Sequence, residues 1–197
     1  MGAVVRGDLE PGFLPEGGVA FDEEFLPFAP GSLDLYASVL TLHAVNDLPG
    51  ALSQIQRSLA PGGVFVAALF GGETLRELRA VLSQAEIEID GGLSPRVSPF
   101  ADVRDGGALL QRAGFAAPVT DADTITVRYE HPLKLLADLR GMGETNALTE
   151  RRRVFLKRPV LLRASAIYLE RYRGDDGRVP ATFQILYLTG QAHESRR

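Results

Sequence analysis

Two nearly continuous apolar runs constrain the fold of this chain more than any other feature. Leu33 to Leu42 reads LDLYASVLTL, and Val64 to Phe70 reads VFVAALF. Runs of this kind are typical of strands in a parallel sheet that is covered on both faces. The segment between them repeats apolar residues at helical spacing, at Leu48, Leu52, Ile55 and Leu59. A strand, a helix and a strand in this order predict an α/β fold with an open, mostly parallel sheet.

The flanking segments extend the pattern. We predict short strands at Ala3–Val5 and Val19–Phe21, an antiparallel strand at Thr124–Tyr129 and a last strand at Thr182–Thr189. Helices are predicted around the apolar stripe Leu75, Leu78, Leu82 and Ala85, in a segment that ends LLQRAGF with Gly114 past its end, at Pro132–Leu139, and at Thr149–Arg173, bent or divided at Pro159. No linker divides the chain, so residues 1–197 are expected to form a single domain.

Composition excludes several classes of protein. The net charge of −4 disfavours general electrostatic binding to nucleic acid. The chain has no cysteine, and its three histidines, His43, His131 and His193, are too far apart to form a ligand pair, so no metal site is predicted. The first residues lack the pattern of a secretory signal, and no apolar run is long enough to span a membrane. The sequence therefore predicts a cytoplasmic protein that binds small molecules or proteins.

Candidate site residues follow from the predicted sheet. Ligands of open parallel sheets bind beyond the carboxyl ends of the strands. The polar residues at those ends are Asp8, Asp22, Glu23, His43 and Asn46, and the stretch Phe70 to Glu73 follows another strand.

Each candidate has a purely structural alternative. Asp8 fits a ribose ligand or a turn aspartate. Asp22 and Glu23 fit contacts to a nucleoside or a solvated acidic pair. His43 fits a base near neutral pH or a packed histidine at a strand end. The basic residues Arg151, Arg152, Arg153, Lys157 and Arg158 fit an acidic carrier protein or a solvated helix face.

Several stretches together resemble a known family. DEEFLPFAPGSLDLYASVLTLHAVNDLPGAL and LAPGGVFVAALFGGETLRELR are similar to class I S-adenosylmethionine-dependent methyltransferases. The similarity is greater to the mitochondrial complex I assembly factor 5 family and its bacterial relatives than to the malonyl-acyl-carrier-protein methyltransferases of biotin synthesis. GGLSPRVSPF, GMGETN and VPATFQILY continue the resemblance, which extends from Phe21 to Gly190.

The resemblance implies a Rossmann-like methyltransferase sheet that binds S-adenosylmethionine. It makes Asp8 the ribose ligand and places Asp22 and Glu23 beside the adenine, with Leu40 at the end of the fourth family strand. His43 and Asn46 are then candidates to orient the acceptor. The implied partner is a protein substrate, either a respiratory complex I subunit or an acyl carrier protein.

The sequence departs from the family at its start. The first family strand, its glycine-rich loop and the following helix have no counterpart here, so the fold is expected to be truncated at the N-terminus. That strand lies at the centre of the family sheet, so its loss predicts an uncovered apolar edge. Ala44 and Gln191 stand where relatives usually have tryptophan.

Two functions remain open from the sequence. The first is a methyltransferase-family enzyme of the complex I assembly type, acting by protein arginine hydroxylation or by methyl transfer. The second is a non-catalytic assembly or binding protein, or a truncated remnant that lacks the cofactor loop. A nicotinamide-dependent dehydrogenase is disfavoured, because no G-x-G-x-x-G motif follows a strand.

Overall fold

A computed structural model describes residues 3–92, 103–144 and 156–194. Along the chain its strands and helices are β1 (Gly7–Asp8), β2 (Val19–Ala20), β3 (Leu33–Val39), α1 (Leu48–Ser58), β4 (Leu59–Phe70), α2 (Arg76–Asp90), α3 (Val103–Arg112), β5 (Ala116–Tyr129), α4 (Pro132–Gly141), α5 (Arg158–Tyr172) and β6 (Val179–Gln191). Short 3₁₀ helices lie at Pro11–Phe13 and Leu42–Ala44. Hydrogen bonds join β1 to β2 in one sheet and order the other strands as β3-β4-β6-β5.

The central prediction, a parallel pair of strands around one helix, is confirmed. β3 pairs in parallel with β4, from Leu35 opposite Val64 to Val39 opposite Ala68, and α1 connects them. β4 and β6 run in opposite directions, since the Gly62 N–H donates to the Ala192 carbonyl and the Gly71 N–H to the Gln184 carbonyl. The sheet therefore combines parallel and antiparallel strands, as the sequence predicted.

β3 lies at one end of the four-strand order, and this corrects one prediction while confirming another. The expectation that its run is covered on both faces is wrong: Leu35 is 57% exposed and Val39 is 71% exposed, while Tyr36 and Ser38 are buried. Within the described residues β3 has a hydrogen-bonded neighbour strand on one side only. β3 is thus an edge strand, as predicted, and the apolar side chains that it exposes, Leu35 and Val39, lie on one of its faces.

Helix α1 begins at the position that its sequence predicts. The Asp47 carboxylate accepts a hydrogen bond of 2.9 Å from the Gly50 N–H, which satisfies an amide that has no partner within the helix. Pro49 occupies the first turn, where a missing N–H costs nothing. Leu52 and Ile55 are fully buried. The predicted cap is confirmed, and so is the apolar stripe as far as Ile55, whereas Leu59 is buried as the first residue of β4.

The chain divides into two compact units. The first comprises Met1–Leu69, Val103–Asp121 and Tyr187–Arg197. Its core includes a series of aromatic contacts, in which the ring centroid of Phe65 lies 6.3 Å from that of Tyr36 and 5.2 Å from that of Phe115. This unit contains all the candidate residues from Asp8 to Asn46.

The second unit comprises Phe70–Asp102 and Ala122–Leu186, and it has a core of its own. Helices α2, α4 and α5 bury apolar side chains there against residues of β6. Tyr168 of α5 is fully buried, and its hydroxyl donates to the Pro180 carbonyl at 2.7 Å. The predicted stripe on α2 is confirmed, since Leu75, Leu78, Leu82 and Ala85 are all buried.

Some predicted boundaries were wrong. The first strand is Gly7–Asp8 and not Ala3–Val5, because the hydrogen bonds to β2 begin only at Arg6. Of the two alternatives at Pro159, a bend is excluded: α5 begins at Arg158, and Pro159 lies in its first turn, the position where proline is tolerated best. Residues 149–155, most of GGLSPRVSPF and the end of GMGETN lie outside the described residues.

Two further predictions are settled at the level of elements. Gly114 has φ of 90°, which confirms it as the left-handed residue after α3. Among the helices in the described ranges, none combines the length and the apolar character that crossing a bilayer requires.

Candidate functional site

The ends of β1 and β2 bring two aspartates to neighbouring positions in the first unit. The strands are parallel, with Asp8 opposite Ala20, and Asp22 follows β2 after one residue. Gly7 is required here, since a Cβ atom at this position would lie within 3 Å of the ring of Phe21. The small sheet therefore sets the two carboxylates at one edge.

Both aspartates also stabilise their own turns. Asp8 Oδ1 accepts a hydrogen bond of 2.9 Å from the Glu10 N–H, and Asp22 Oδ1 accepts one of 2.9 Å from the Glu24 N–H. These bonds are what the turn alternative for Asp8 predicts. Each of these bonds is made by Oδ1, so a role in the turn is compatible with a role as a ligand for the same aspartate.

Glu23 connects the acidic residues to the end of β3. Burial raises the pKa of its carboxyl group, a hydrogen bond from the Thr41 side chain lowers it, the charges of Asp22 and Asp8 raise it, and His43 lowers it; the net shift is upward. The charges of Asp22, Asp8 and His43 therefore act on the Glu23 carboxyl group within the first unit.

Tyr36 contributes to the same region from inside β3. Its side chain is buried, and this burial, followed by the negative charge of Glu23, raises the pKa of its hydroxyl far above the ordinary value. The phenol is therefore neutral at physiological pH. It can act as a hydrogen-bonding group there, and not as a base.

The chain turns sharply at the end of β3. Leu40 has φ of 55°, in the left-handed region that favours glycine, and its N–H donates to the Ala68 carbonyl at 2.7 Å. Thr41 follows, and the 3₁₀ helix Leu42–Ala44 then carries His43. Strained backbone of this kind persists where surrounding contacts over-determine it, and it is often found at functional sites.

Asn46 is held by a residue that the sequence did not single out. The carboxylate of Glu24 accepts hydrogen bonds from the backbone N–H and the side-chain amide of Asn46, the latter at 3.2 Å, and from the Asp47 N–H at 3.4 Å. Gln54 on α1 adds a second attachment, donating to the Glu24 carbonyl at 2.7 Å and accepting from the Leu26 N–H at 3.2 Å. Hydrogen bonds thereby hold the acidic segment, Asp22–Glu24, against α1.

In the second unit, hydrogen bonds hold the loop after β4 to β6. The Glu73 N–H donates to Gln184 Oε1 at 3.2 Å, and the Thr74 hydroxyl lies 3.0 Å from both the N–H and the carbonyl oxygen of Gln184. The Glu73 carboxylate pairs with Arg76 at 3.0 Å, with both side chains more than half exposed. The predicted stretch Phe70 to Glu73 thus forms an ordered loop.

Sequence reasoning missed Ser38, Thr41, Glu24 and Gln54. Thr41 stands only two residues before His43, and Glu24 is the third residue of an acidic run. Both are therefore close in sequence to residues that were identified as candidates. Their partners lie 18 and 22 residues away along the chain, and no local pattern identifies such contacts.

Comparison with known proteins finds relatives over most of this chain. A family model described as a methyltransferase domain matches residues 8–67. The human protein named arginine-hydroxylase NDUFAF5, mitochondrial, is 51% identical over 184 residues, which are 93% of this chain and 53% of that protein. The malonyl-[acyl-carrier protein] O-methyltransferase of Halorhodospira halophila is 39% identical over 86% of this chain and 55% of that protein. This chain thus spans about half the length of these curated relatives.

Solved structures agree on the fold. A candidate methyltransferase from Bacillus halodurans C-125 superposes with a TM-score of 0.57 at 14% identity, covering 90% of this chain and 78% of that one. At such low identity the likeness concerns the architecture alone. The chain therefore has the fold of the class I methyltransferases, and most of its length is similar in sequence to the arginine hydroxylases and, at lower identity, to the malonyl-carrier methyltransferases.

Proposed function

We propose that this chain binds S-adenosylmethionine at the ends of β1, β2 and β3 and modifies an arginine side chain of a protein partner. The observation that carries the proposal is the parallel pairing of β1 with β2, which brings Asp8 to the segment that carries Asp22 and Glu23; the effect of Asp8, Asp22 and His43 on the pKa of Glu23 supports it. The methyltransferase-domain match suggests the cofactor, and the similarity to arginine hydroxylases suggests the substrate class.

The grouped side chains suit this cofactor chemically. Ribose hydroxyls and an adenine amino group donate hydrogen bonds, and the carboxylates of Asp8 and Asp22 accept them. A positively charged sulfonium is favoured near several carboxylates. In this assignment Asp8 holds the ribose, Asp22 and Glu23 lie beside the adenine, and Leu40 contributes main chain at the end of β3.

The residues after β3 would serve the acceptor. If the reaction is methyl transfer, bound S-adenosylmethionine would supply an activated methyl group on a sulfonium, and little acid-base chemistry would be required of the protein. His43 and Asn46 would orient the acceptor side chain, and Glu24 fixes the position of Asn46. Alignment of this kind accounts for most of the rate that a site of this type provides.

The proposed reaction has two candidate outcomes that differ in mass. Hydroxylation of arginine adds one oxygen and needs dioxygen and a reductant, whereas methyl transfer to a carboxylate adds one methyl group as an ester and leaves S-adenosylhomocysteine. We propose hydroxylation of a respiratory complex I subunit as the first candidate, because the arginine hydroxylases are about half identical to this chain. Methylation of an acyl-carrier-protein cargo is the second, supported by the more distant relatives.

Mass spectrometry of the partner after incubation tests the proposal. The chain is incubated with S-adenosylmethionine, with a reductant in air, and with a peptide of the complex I subunit or a malonyl carrier protein; Asp8→Ala is the control. A gain of one oxygen on arginine supports hydroxylation, and a gain of one methyl group supports transfer. An unchanged mass with every partner, from a chain that remains folded, contradicts both.

A second candidate function, a non-catalytic assembly or binding protein, is favoured by the open side of β3. Leu35 and Val39 are exposed there, and an uncovered apolar edge is typical of a surface that binds another polypeptide. Substrate-dependent turnover of S-adenosylmethionine by the purified chain would rule this candidate out.

The proposal keeps two sequence predictions. We propose that residues 1–197 act as one domain in function, and that the chain works in the cytoplasm. The human relative is named as a mitochondrial protein. Fluorescence microscopy of the tagged full-length gene product would separate the two locations.

A further inference from the structure

The main chain of the loop that follows β4, residues 71–74, is held closely against β6 in the second unit. We call this segment the β4 loop. The Gly71 N–H donates to the Gln184 carbonyl at 2.8 Å, and the Glu73 N–H donates to Gln184 Oε1 at 3.2 Å. A Cβ atom at Gly71 would lie 2.5 Å from that same Oε1, so glycine leaves the room that the glutamine side chain occupies. One residue of β6 therefore fixes two positions of the loop.

One guanidinium group holds the residues on both sides of Glu73. Nη2 of Arg79, on α2, donates to the Gly72 carbonyl at 3.2 Å and to the Thr74 carbonyl at 3.1 Å. Leu75 follows with φ of 55°, in the left-handed region that favours glycine, and its N–H donates to a carbonyl of β6 at 2.7 Å. Strained backbone that surrounding bonds hold in place is often found at functional sites.

The side chain of Glu73, unlike its main chain, is open to solvent. Its carboxylate lies 3.0 Å from Nη1 of Arg76, and the two side chains are 56% and 59% exposed. Ion pairs exposed to this degree contribute little to stability. Arg76 also donates from Nε to Glu77 at 3.3 Å, and the Glu77 side chain is only 6% exposed. Arg76 therefore keeps a carboxylate partner when Glu73 exchanges it for another cation.

We propose that the Glu73 carboxylate binds the guanidinium group of the substrate arginine, in exchange for Arg76. The inference rests on the proposed function, which supplies an arginine-bearing protein as the partner, and it names the residue that selects the arginine. The β4 loop follows the carboxyl end of a strand that pairs in parallel, and ligands of open sheets bind at such ends.

The chemistry of the carboxylate suits this role. A carboxylate accepts two parallel hydrogen bonds from a guanidinium group, a geometry that the ammonium group of lysine does not reproduce. The hydrogen bonds of the β4 loop fix the main chain of Glu73 before any ligand arrives. Binding then orders little of the protein, and less affinity is lost to that ordering.

Two variants and two matched controls test the proposal. Glu73→Gln keeps the size of the side chain and removes its charge, and Arg76→Gln removes the competing cation. The controls are Glu130→Gln and Lys134→Gln. Glu130 and Lys134 form another local ion pair of the second unit, at 3.9 Å, with side chains 72% and 68% exposed. All four positions are more than half exposed, so each variant is expected to fold like the parent chain.

The readout is a titration of the ¹⁵N-labelled chain, followed by the amide resonances of the β4 loop. The probes are a blocked Gly-Arg-Gly tripeptide and the same tripeptide with uncharged citrulline in place of arginine. The parent chain is expected to bind the arginine probe about fivefold more tightly than the citrulline probe. Glu73→Gln should lose this preference. Arg76→Gln should bind the arginine probe about twofold to threefold more tightly than the parent, because a like charge no longer opposes it. Both controls should match the parent.

Three results overturn the inference: equal binding of both probes by the parent chain, an unchanged arginine preference in Glu73→Gln, or the same loss of preference in Glu130→Gln. Each leaves the proposed function standing if the chain still modifies arginine in the mass-spectrometric experiment. The expected binding pattern in a chain that leaves arginine unmodified overturns the proposed function alone.

Discussion

Glu23 carries a carboxyl group whose surroundings favour its protonated form. Burial is the largest cause of its raised pKa. The charges of Asp22 and Asp8 also raise the pKa, whereas the Thr41 hydroxyl and His43 lower it. The folded state therefore holds this proton more tightly than the unfolded chain does. Stability from this group is fully present below the ordinary pKa of 4.5 and is lost as pH rises through the raised pKa of the folded state.

A substitution that cannot ionise escapes this loss. We expect Glu23→Gln to have a higher free energy of unfolding than the parent chain at pH 7, and the difference to shrink as pH falls toward 4.5. Urea unfolding at several pH values measures it, with Glu16→Gln as the control of equal chemical change. A difference that grows on acidification would contradict this account of Glu23.

Leu40 tests whether the turn after β3 is strained. Glycine tolerates φ of 55° and alanine does not, so Leu40→Gly should be more stable than Leu40→Ala by about 1 kcal/mol. At Val39, an ordinary strand residue next to it, the order should reverse, with alanine better by about 0.5–1 kcal/mol. Thermal or urea unfolding of the four variants decides. The same order at both positions would show that Leu40 is unstrained.

At the scale of elements, the attachment of the acidic segment to α1 depends on Glu24. Glu24→Ala removes the acceptor for the amides of Asn46 and Asp47, the two residues that directly precede α1. A loss of about 1 kcal/mol in unfolding free energy is expected, since these bonds are to a charged but exposed group. Urea unfolding measures it, with Glu16→Ala expected within about 0.5 kcal/mol of the parent.

The elements themselves were largely predictable because their signals are local. The apolar runs of β3 and β4, the cap at Asp47 and the stripe on α1 each depend on residues within one element. The length of β1 was not predictable, because two residues form it only through pairing with β2. A bend and a division at Pro159 could not be distinguished from the sequence, because the same residue fits a helix start and a kink within a helix.

The candidate site was predictable only in outline for a related reason. The rule for strand ends identified Asp8, Asp22, Glu23 and His43, whose role in binding stays a prediction; the pairing of β1 with β2 places the segment of Asp22 beside Asp8. It did not identify Thr41 or Glu24, whose roles depend on contacts across the unit. Side chains that hold a site in shape leave little pattern in a sequence, because their partners are distant along the chain.

At the scale of the whole molecule, the open side of β3 predicts how the chain behaves in solution. Exposed apolar edges pair with other chains, and a charge on such an edge prevents it. Leu35→Lys should therefore lower the light scattering of concentrated samples and change the unfolding free energy by less than about 0.5 kcal/mol. Leu133→Lys on α4, where the leucine is 44% exposed, is the control and should leave scattering unchanged. Equal scattering by Leu35→Lys and the parent chain would contradict an exposed edge.

The account as a whole depends on whether the strand ends bind the cofactor. The most direct measurement is calorimetric titration of S-adenosylmethionine into the chain, with Asp8→Ala as the variant and Glu16→Ala as the control. We predict binding in the micromolar range that is lost in Asp8→Ala and retained in Glu16→Ala. No heat from a folded parent chain, or equal binding by Asp8→Ala, would contradict the proposed cofactor site.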